Sequence, residues 1–238
     1  MVCVLASSKM WHPELAENLQ VRTSKKFLTV TSPAQLTEDF LIEVQPDYVF
    51  FPHWSSIIPA KIFNQFECVV FHMTDLPFGR GGSPLQNLIV NGMNETQLTA
   101  LRCEAGIDTG PIYLKKPLSL QGRAQDIYYQ ASRLIEDMIV DIIQKKMKPV
   151  PQQGEVVNFA RRKPEDSNIA TLSELNKIYD YIRMLDAEGY PKAFFETENA
   201  RFEFSHAVLQ GDEILANVSI KLKRKDHDTS SGGNSSSS

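Results

Sequence analysis

The sequence has few cysteines, no long apolar run and no excess of basic charge, and each absence excludes a class of protein. Its three cysteines, Cys3, Cys68 and Cys103, lie far apart without C-x-x-C spacing, which argues against a disulfide framework and against a zinc or redox site. We interpret them as reduced structural residues and predict no metal. No uncharged apolar run reaches the roughly 18 residues of a membrane helix, and the N-terminus does not resemble a secretion signal. We therefore expect a cytoplasmic protein without membrane contact.

Basic residues are outnumbered by acidic ones. The 25 Lys and Arg against 29 Asp and Glu give a formal net charge of -4, so the surface as a whole does not attract phosphate backbones. Nucleic-acid binding would need a local basic patch, and three clusters could form one, at 145–148, 161–163 and 221–225. A solvated surface is the simpler interpretation of these clusters, and phosphate contacts are the alternative.

The pattern of the first half predicts an α/β fold. With 42% apolar and 23% charged residues, a chain of 238 residues is typical of one globular domain with a smaller unit. Short β-branched or aromatic runs alternate with helical stretches, which favours a Rossmann-like, mostly parallel sheet covered on both faces. The predicted strands are 2–6, 27–31, 48–51 and 68–72, and the predicted helices between them are 13–19 and 33–44.

The second half predicts a small additional unit. A Gly- and Pro-rich turn is followed by a short helix, two strands, a long amphipathic helix and a polar connection over 149–167. A helix at 174–185 and three short strands then form an α+β appendage. We divide the chain into a catalytic domain (1–165), a C-terminal α+β subdomain (166–222) and a disordered tail (223–238). The tail is charged and Ser/Gly-rich, so it cannot bury enough apolar area to offset its ordering entropy.

Two side chains, His72 and Asp108, lie at predicted strand ends or turns, where ligand-binding and catalytic residues of a parallel sheet are expected. His72 ends a predicted strand, immediately before a turn whose glycines let backbone amides approach a ligand closely. Asp108 lies in the turn GIDTG after a further predicted strand. If the two strands are neighbours, Asp108 meets His72 at the same rim, where a carboxylate would fix the imidazole's orientation for acyl transfer. The structural alternative is that each side chain bonds only to its own turn.

The segment FHMTDLPFGRGGSP, followed by GIDTGPIY, resembles the folate-dependent formyltransferases, a family that includes methionyl-tRNA, sugar-nucleotide and glycinamide-ribotide formyltransferases. Its signature is Asn-x-His, a Leu-Pro turn, Arg-Gly and a later Asp-x-Gly-x-Ile, and the resemblance extends over residues 1–190. The matching positions here are His72, Leu76, Pro77, Arg80, Gly81, Asp108 and Gly110. The resemblance implies an enzyme with 10-formyltetrahydrofolate as co-substrate, which moves a formyl group to a primary amine.

The resemblance also implies catalytic roles. His72 would donate to the oxygen that becomes negative during transfer, and Asp108 would hold the imidazole and help to remove a proton from the amine. One position departs from the family: Val70 replaces the asparagine two residues before the histidine and cannot donate. Either another donor replaces it, with Thr74, Asn87 or a backbone amide of the turn as candidates, or the enzyme is slow, or the protein is not an enzyme.

A folate pocket is implied around the end of the third strand, FFPHWSSIIP, and at the Arg-Gly of the turn. An aromatic cluster that merely caps the sheet is the alternative. The residues expected to bind the co-substrate are Phe51, His53, Trp54, Ile57, Ile58, Arg80 and Gly81.

The acceptor is predicted from the C-terminal segments and from the net charge. RRKPEDSNI and IYDYIRMLDAEGYPKAF resemble segments of sugar-nucleotide formyltransferases, and methionyl-tRNA formyltransferases share them loosely. The transfer-RNA enzymes carry a larger, basic C-terminal barrel, whereas this chain is short there and acidic. We therefore predict a small-molecule partner, a nucleotide-linked amino sugar. A methionyl-tRNA acceptor is the alternative, a non-catalytic folate- or nucleotide-binding module is third, and a homodimer is considered.

Overall fold

The computed structural model of the chain describes residues 1–9 and 11–223, so the predicted tail lies outside the described residues from position 224 onward. Two 3-10 helices, Pro33–Gln35 and Pro164–Ser167, accompany the main elements. In chain order these are β1 (Val2–Ala6), α1 (Leu15–Thr23), β2 (Lys26–Val30), α2 (Glu38–Val44), β3 (Tyr48–Phe51), α3 (Ala60–Phe63), β4 (Cys68–His72), β5 (Phe78–Gly81), α4 (Pro84–Val90), β6 (Glu95–Arg102), β7 (Ile112–Ser119), α5 (Ala124–Lys145), β8 (Val157–Phe159), α6 (Leu175–Arg183), β9 (Ala193–Glu196), β10 (Ala200–Gln210) and β11 (Glu213–Leu222).

A six-stranded, mostly parallel sheet forms the centre of the fold, as predicted. Its order is β2-β1-β3-β4-β6-β7. The first four of these strands run parallel, β6 runs antiparallel to β4, and β7 runs antiparallel to β6. The predicted α/β class is confirmed.

Both faces of the sheet are buried because alternate side chains of each continuous apolar strand point to opposite sides. On one face, Phe50 and Val69 pack in the same core as α1, α4 and α5. On the other face, Val49, Phe51 and Cys68 pack against α2 and α3. His72 lies four residues after Cys68 along β4 and therefore shares this second face with it.

Element boundaries differ from the prediction where local chemistry interrupts the pattern. The helix predicted over 33–44 is divided, because the side chain of Thr37 accepts a hydrogen bond from the Phe40 amide and begins α2. Strand β7 continues through Pro117, which an edge strand tolerates.

A short parallel pair, β5 with β8, has no counterpart in the prediction. Strand β5 lies inside the Gly-rich turn, and β8 lies inside the connection expected to run free over the surface. Neither segment carries an apolar pattern long enough to indicate a strand. The pairing ties the turn that follows β4 to the connection before α6.

The C-terminal unit is an antiparallel sheet of order β11-β10-β9 with α6 packed on it. It is joined to the rest through a common apolar core that contains Ile182, Met184 and Ala193 as well as residues of α5. Where the chain divides into domains stays a prediction. Within the part of the chain that is described, no helix has the length and apolarity needed to cross a membrane.

Candidate active site

The imidazole of His72 lies between two acceptors. It is 8% exposed, with Nε2 2.8 Å from the Gly79 carbonyl oxygen and Nδ1 3.5 Å from Oδ2 of Asp108. A ring between two acceptors can donate to each of them when both nitrogens carry protons. The residue that ends β4 is thus oriented by the turn on one side and by a carboxylate on the other.

Asp108 connects this imidazole to the backbone of the turn. Its Oδ2 accepts a hydrogen bond of 2.9 Å from the Gly81 amide. The residue has a φ of +54°, a left-handed conformation that aspartate adopts more readily than most residues. One carboxylate oxygen therefore faces both a ring nitrogen and a backbone amide.

The route that brings Asp108 to His72 differs from the expectation. The two strands are neighbours and Asp108 meets His72, as expected, but Arg102 lies opposite Val69, so the β6–β7 connection leaves the sheet at the end where β4 begins. The connection must fold back toward the carboxyl end of β4 for Asp108 to reach His72. Gly110 permits this return, because a Cβ there would collide with the carbonyl oxygen of Arg102.

Gln152 holds this returning loop, and no motif marks it in the sequence. Its Nε2 donates 2.8 Å hydrogen bonds to the carbonyl oxygens of Asp108 and Gly110. Its Oε1 accepts from Nε and Nη2 of Arg80 at 3.2 and 2.7 Å. The side chain of Arg80 thus braces the Asp108 loop through Gln152. Its predicted contact with the co-substrate stays a prediction.

The glycines of the turn let another segment of the protein approach its backbone closely. A Cβ on Gly81, whose φ is +105°, would lie 2.5 Å from the Phe159 carbonyl oxygen, and one on Gly82 would lie 2.6 Å from Cβ of Arg161. Both glycines therefore let β8 and the residues after it pack against the turn. This packing presents the Gly81 amide to Asp108.

The two side chains considered as replacements for the missing asparagine are engaged with backbone carbonyls. Oγ1 of Thr74 donates to Gly79 at 3.2 Å. Nδ2 of Asn87 donates to Gly82 and Ala160 at 3.0 and 2.9 Å. Their role as oxyanion donors stays a prediction, and each would have to leave a carbonyl to perform it.

Val70 occupies an apolar position. It packs against the small cluster of Leu76, Leu101 and Ile112. Since residues two apart on a strand share a face, Val70 lies beside His72 on the side of β4 that faces α2 and α3. The position of the family asparagine therefore supplies an apolar wall next to the imidazole.

Part of the predicted folate wall shares this face. Phe51 and Ile58 are buried there, and the ring of Trp54 meets that of Phe51 edge-on at 5.8 Å. Nε1 of Trp54 is buried and has no hydrogen-bond partner among the described residues. Ile57, by contrast, is 94% exposed. An apolar wall with an unpartnered donor suits a flat heterocycle that carries acceptors, so these residues fit a pterin.

His53 points to the opposite face of the sheet. Its Nε2 lies 2.6 Å from Oγ of Ser132 on α5, and its ring packs edge-on against Trp11 and Tyr128. Burial, with smaller contributions from the neighbouring His12 and Lys9, lowers the pKa of His53 to about 4. The structure places this residue in the packing of α5, away from His72.

The low pKa of His53 predicts a dependence of stability on pH. An imidazole in the unfolded chain takes up a proton near pH 6.5, whereas folded His53 resists protonation down to about pH 4. The unfolded state therefore binds more protons in this interval, and the free energy of unfolding falls as the pH decreases from about 6.5 to 4.

His53→Gln should flatten this dependence relative to the wild type in urea titrations at several pH values. Comparing the two proteins cancels the contribution of all other titrating groups. Parallel curves for the two proteins would contradict the assignment.

Comparisons with known proteins bear on what this site does. A family model described as "Formyl transferase" matches residues 15–135, and one described as "Methionyl-tRNA formyltransferase, C-terminal domain" matches residues 164–221. A methionyl-tRNA formyltransferase of Thermodesulfovibrio yellowstonii is 28% identical over 226 residues, which cover 88% of this chain and 73% of that protein.

Solved structures are similar as well. A structure named methionyl-tRNA formyltransferase from Clostridium thermocellum is 46% identical with a TM-score of 0.91, covering 94% of this chain and 100% of that one. A sugar N-formyltransferase from Shewanella sp FDAARGOS_354 is 16% identical with a TM-score of 0.64, covering 83% of this chain and 93% of that one. The second is a likeness of fold alone.

Proposed function

The chain belongs to the formyl transferase family, and we propose that it transfers the formyl group of 10-formyltetrahydrofolate to the amino group of methionyl-tRNA. The predicted class of enzyme and its folate co-substrate are confirmed by this membership. The observation that carries the chemistry is the convergence of His72 and Asp108 beside the Gly-rich turn.

The predicted sugar-nucleotide acceptor is wrong, and so is the partner ranking that put transfer RNA below it. Residues 164–221 match the C-terminal domain of methionyl-tRNA formyltransferases, and the clostridial structure of that name is covered in full by this chain. A short C-terminal unit therefore does not argue against the transfer-RNA enzymes. The acidic net charge does not argue against RNA binding either, because net charge averages over the whole surface, whereas RNA contacts depend on local cations.

In the proposed reaction, 10-formyltetrahydrofolate supplies an electrophilic carbonyl carbon to the amine of the acceptor. The carbonyl oxygen gains negative charge as the amine attacks, and a donor fixed beside it lowers the barrier. We assign that donation to Nε2 of His72. Asp108 faces Nδ1, orients the ring, and helps to take up the proton that the amine loses. The tetrahedral adduct then collapses as the bond between the formyl carbon and N10 breaks, and N10 takes up a proton, so that tetrahydrofolate leaves and the formyl group stays on the amine.

The Gly79 carbonyl allows His72 to change partner. This oxygen accepts hydrogen bonds from both His72 and Thr74. When the imidazole donates to substrate, the hydroxyl of Thr74 keeps the carbonyl paired, so no buried acceptor is left unsatisfied. Thr74 acts here as a positioning residue.

We place the pterin of the co-substrate against the partly buried side chains of Trp54 and Val70, which pack on the buried cluster that contains Phe51 and Ile58. This wall is apolar and adjoins His72 on the same side of the sheet. The unpartnered Nε1 of Trp54 would donate to a heteroatom of the pterin.

An acceptor panel tests the proposal. Purified protein with 10-formyltetrahydrofolate should release tetrahydrofolate in the presence of methionyl-tRNA, and should not do so with uncharged transfer RNA or with amino-sugar nucleotides. Its binding to initiator transfer RNA should weaken steeply between about 50 and 200 mM salt, as phosphate contacts do. Turnover of an amino sugar but not of methionyl-tRNA would refute the assigned acceptor.

A further inference from the structure

Two cations, Lys9 and Arg161, lie beside Tyr190. Lys9 follows β1, and its Nζ is 5.5 Å from the ring centre of Trp11 and 5.9 Å from that of Tyr190. Arg161 follows β8 and is exposed. Burial raises the pKa of Tyr190, while its hydrogen bond with Tyr128 and the nearby positive charge of Arg161 act in the opposite direction. The ion pairs among the described residues include neither Lys9 nor Arg161.

Aromatic rings hold Lys9 in place without neutralising it. Trp11 stacks on Tyr128 of α5 at 4.2 Å, and Tyr128 stacks on Tyr190 at 5.4 Å, so Lys9 lies against two members of a group of three packed rings. A ring attracts a cation through its quadrupole and leaves the charge available to an anion. Gly189 makes room for the ammonium group, because a Cβ there would lie 3.0 Å from Nζ of Lys9.

Arg161 adjoins the turn of the candidate active site. Its backbone lies against Gly82, where an added Cβ would be 2.7 Å from the Arg161 Cα. Gly82 directly follows Gly81, whose amide donates to Asp108. The guanidinium therefore extends from a point next to the backbone that holds Asp108 beside His72.

Lys9 lies on the side of the sheet opposite to the proposed pterin contacts. Trp11 and Tyr128 belong to the core that contains residues of α5, whereas Trp54 and Val70 pack on the core of the α2 and α3 side. The donor and the acceptor of a group transfer must both reach the reacting carbon in a fixed geometry. With the co-substrate on one side, the side with Lys9 is left for the acceptor.

We propose that Lys9 and Arg161 bind backbone phosphates of the single-stranded 3′ end of the acceptor transfer RNA. The inference rests on the proposed function, because methionine is attached to the end of that strand. Phosphate contacts fix the register of a nucleic acid on a protein. A strand held by these two cations places its terminal ribose, and with it the methionyl amine, at a constant position relative to His72.

The salt dependence of binding tests the two cations. Initiator transfer RNA is titrated against wild type, Lys9→Gln and Arg161→Gln between about 50 and 200 mM salt. Each phosphate contact to a single strand contributes about 0.7 to the slope of log K against log[salt], so each substitution should reduce the slope by about that amount. Lys26→Gln is the control, since Lys26 is exposed and begins β2 at the amino end of the sheet. It should keep the wild-type slope.

Transfer RNA without its single-stranded 3′ end locates the contact. With this RNA, all variants should have the slope of the wild type, because the phosphates that meet Lys9 and Arg161 are missing. A slope difference that persists with the shortened RNA, or the wild-type slope in both variants with the full RNA, would overturn the proposal.

Steady-state kinetics separate the RNA from the co-substrate, whose glutamyl carboxylates are also anions. The KM for 10-formyltetrahydrofolate should be the same in wild type, Lys9→Gln and Arg161→Gln. A raised folate KM with an unchanged salt slope would assign the cations to the co-substrate and overturn the proposal. A wild type that does not formylate methionyl-tRNA would refute the proposed function itself, which the binding slopes of the variants do not test.

Discussion

His72→Ala and Asp108→Asn are each expected to lower kcat/KM for formyl transfer by at least about 10². The first removes the donor to the developing oxyanion. The second removes the charge that faces Nδ1, while its amide oxygen can still accept from the Gly81 amide and so keep the turn in place. Steady-state release of tetrahydrofolate measures both effects.

A carboxylate in the turn that follows β4 provides the control. Asp75 is exposed and pairs with Lys115 at the surface, so Asp75→Asn changes the charge by the same amount without touching the imidazole. It should retain nearly all activity. Wild-type rates in both site variants, with folding verified by circular dichroism, would show that the pair does not take part in the chemistry.

Gly81→Ala is expected to abolish most activity and to destabilise the fold. The added methyl group would lie 2.5 Å from the Phe159 carbonyl oxygen, and alanine is strained at a φ of +105°. Separating β5 from β8 moves the Gly81 amide away from Asp108. We expect a loss of at least about 10² in rate and of about 1–3 kcal/mol in the free energy of unfolding.

Gly92→Ala is the control that separates the effect of backbone strain from the effect of the steric clash at Gly81. Gly92 also has a positive φ, +75°, but nothing lies within 4 Å of an added Cβ. This variant should lose about 1 kcal/mol of stability and keep its activity. If Gly81→Ala behaves like Gly92→Ala, the contact between the turn and β8 does not position the catalytic carboxylate.

The parts of the fold that the sequence predicts are those with a repeated pattern. The parallel strands are continuous apolar runs, and α5 carries an apolar stripe, so their positions follow from burial alone. His72 could be placed at a strand end for the same reason. Strands β5 and β8 are too short to carry a pattern, and they form because each finds the other as a partner.

The sequence indicates that His72 and Asp108 belong to the site, but it does not show how the fold brings them together. Asp108 reaches His72 through a loop that returns from the far end of β4, which depends on the antiparallel direction of β6 and on the missing Cβ of Gly110. The role of Gln152 cannot be predicted from the sequence, because an amide in a polar connection has no characteristic spacing. His53 was grouped with the folate-binding residues, but it lies against Ser132 on the other face of the sheet. The sequence of an aromatic segment does not show which face of the sheet each ring occupies.

A crystal structure with bound tetrahydrofolate would show whether the co-substrate meets His72 and Asp108. We expect the pterin ring to lie against Trp54 and Val70, and N10, the atom that carries the formyl group, to point at the His72 imidazole, with the formyl position within about 3.5 Å of Nε2. Tetrahydrofolate bound on the face that holds His53, or with N10 directed away from both His72 and Asp108, would contradict it.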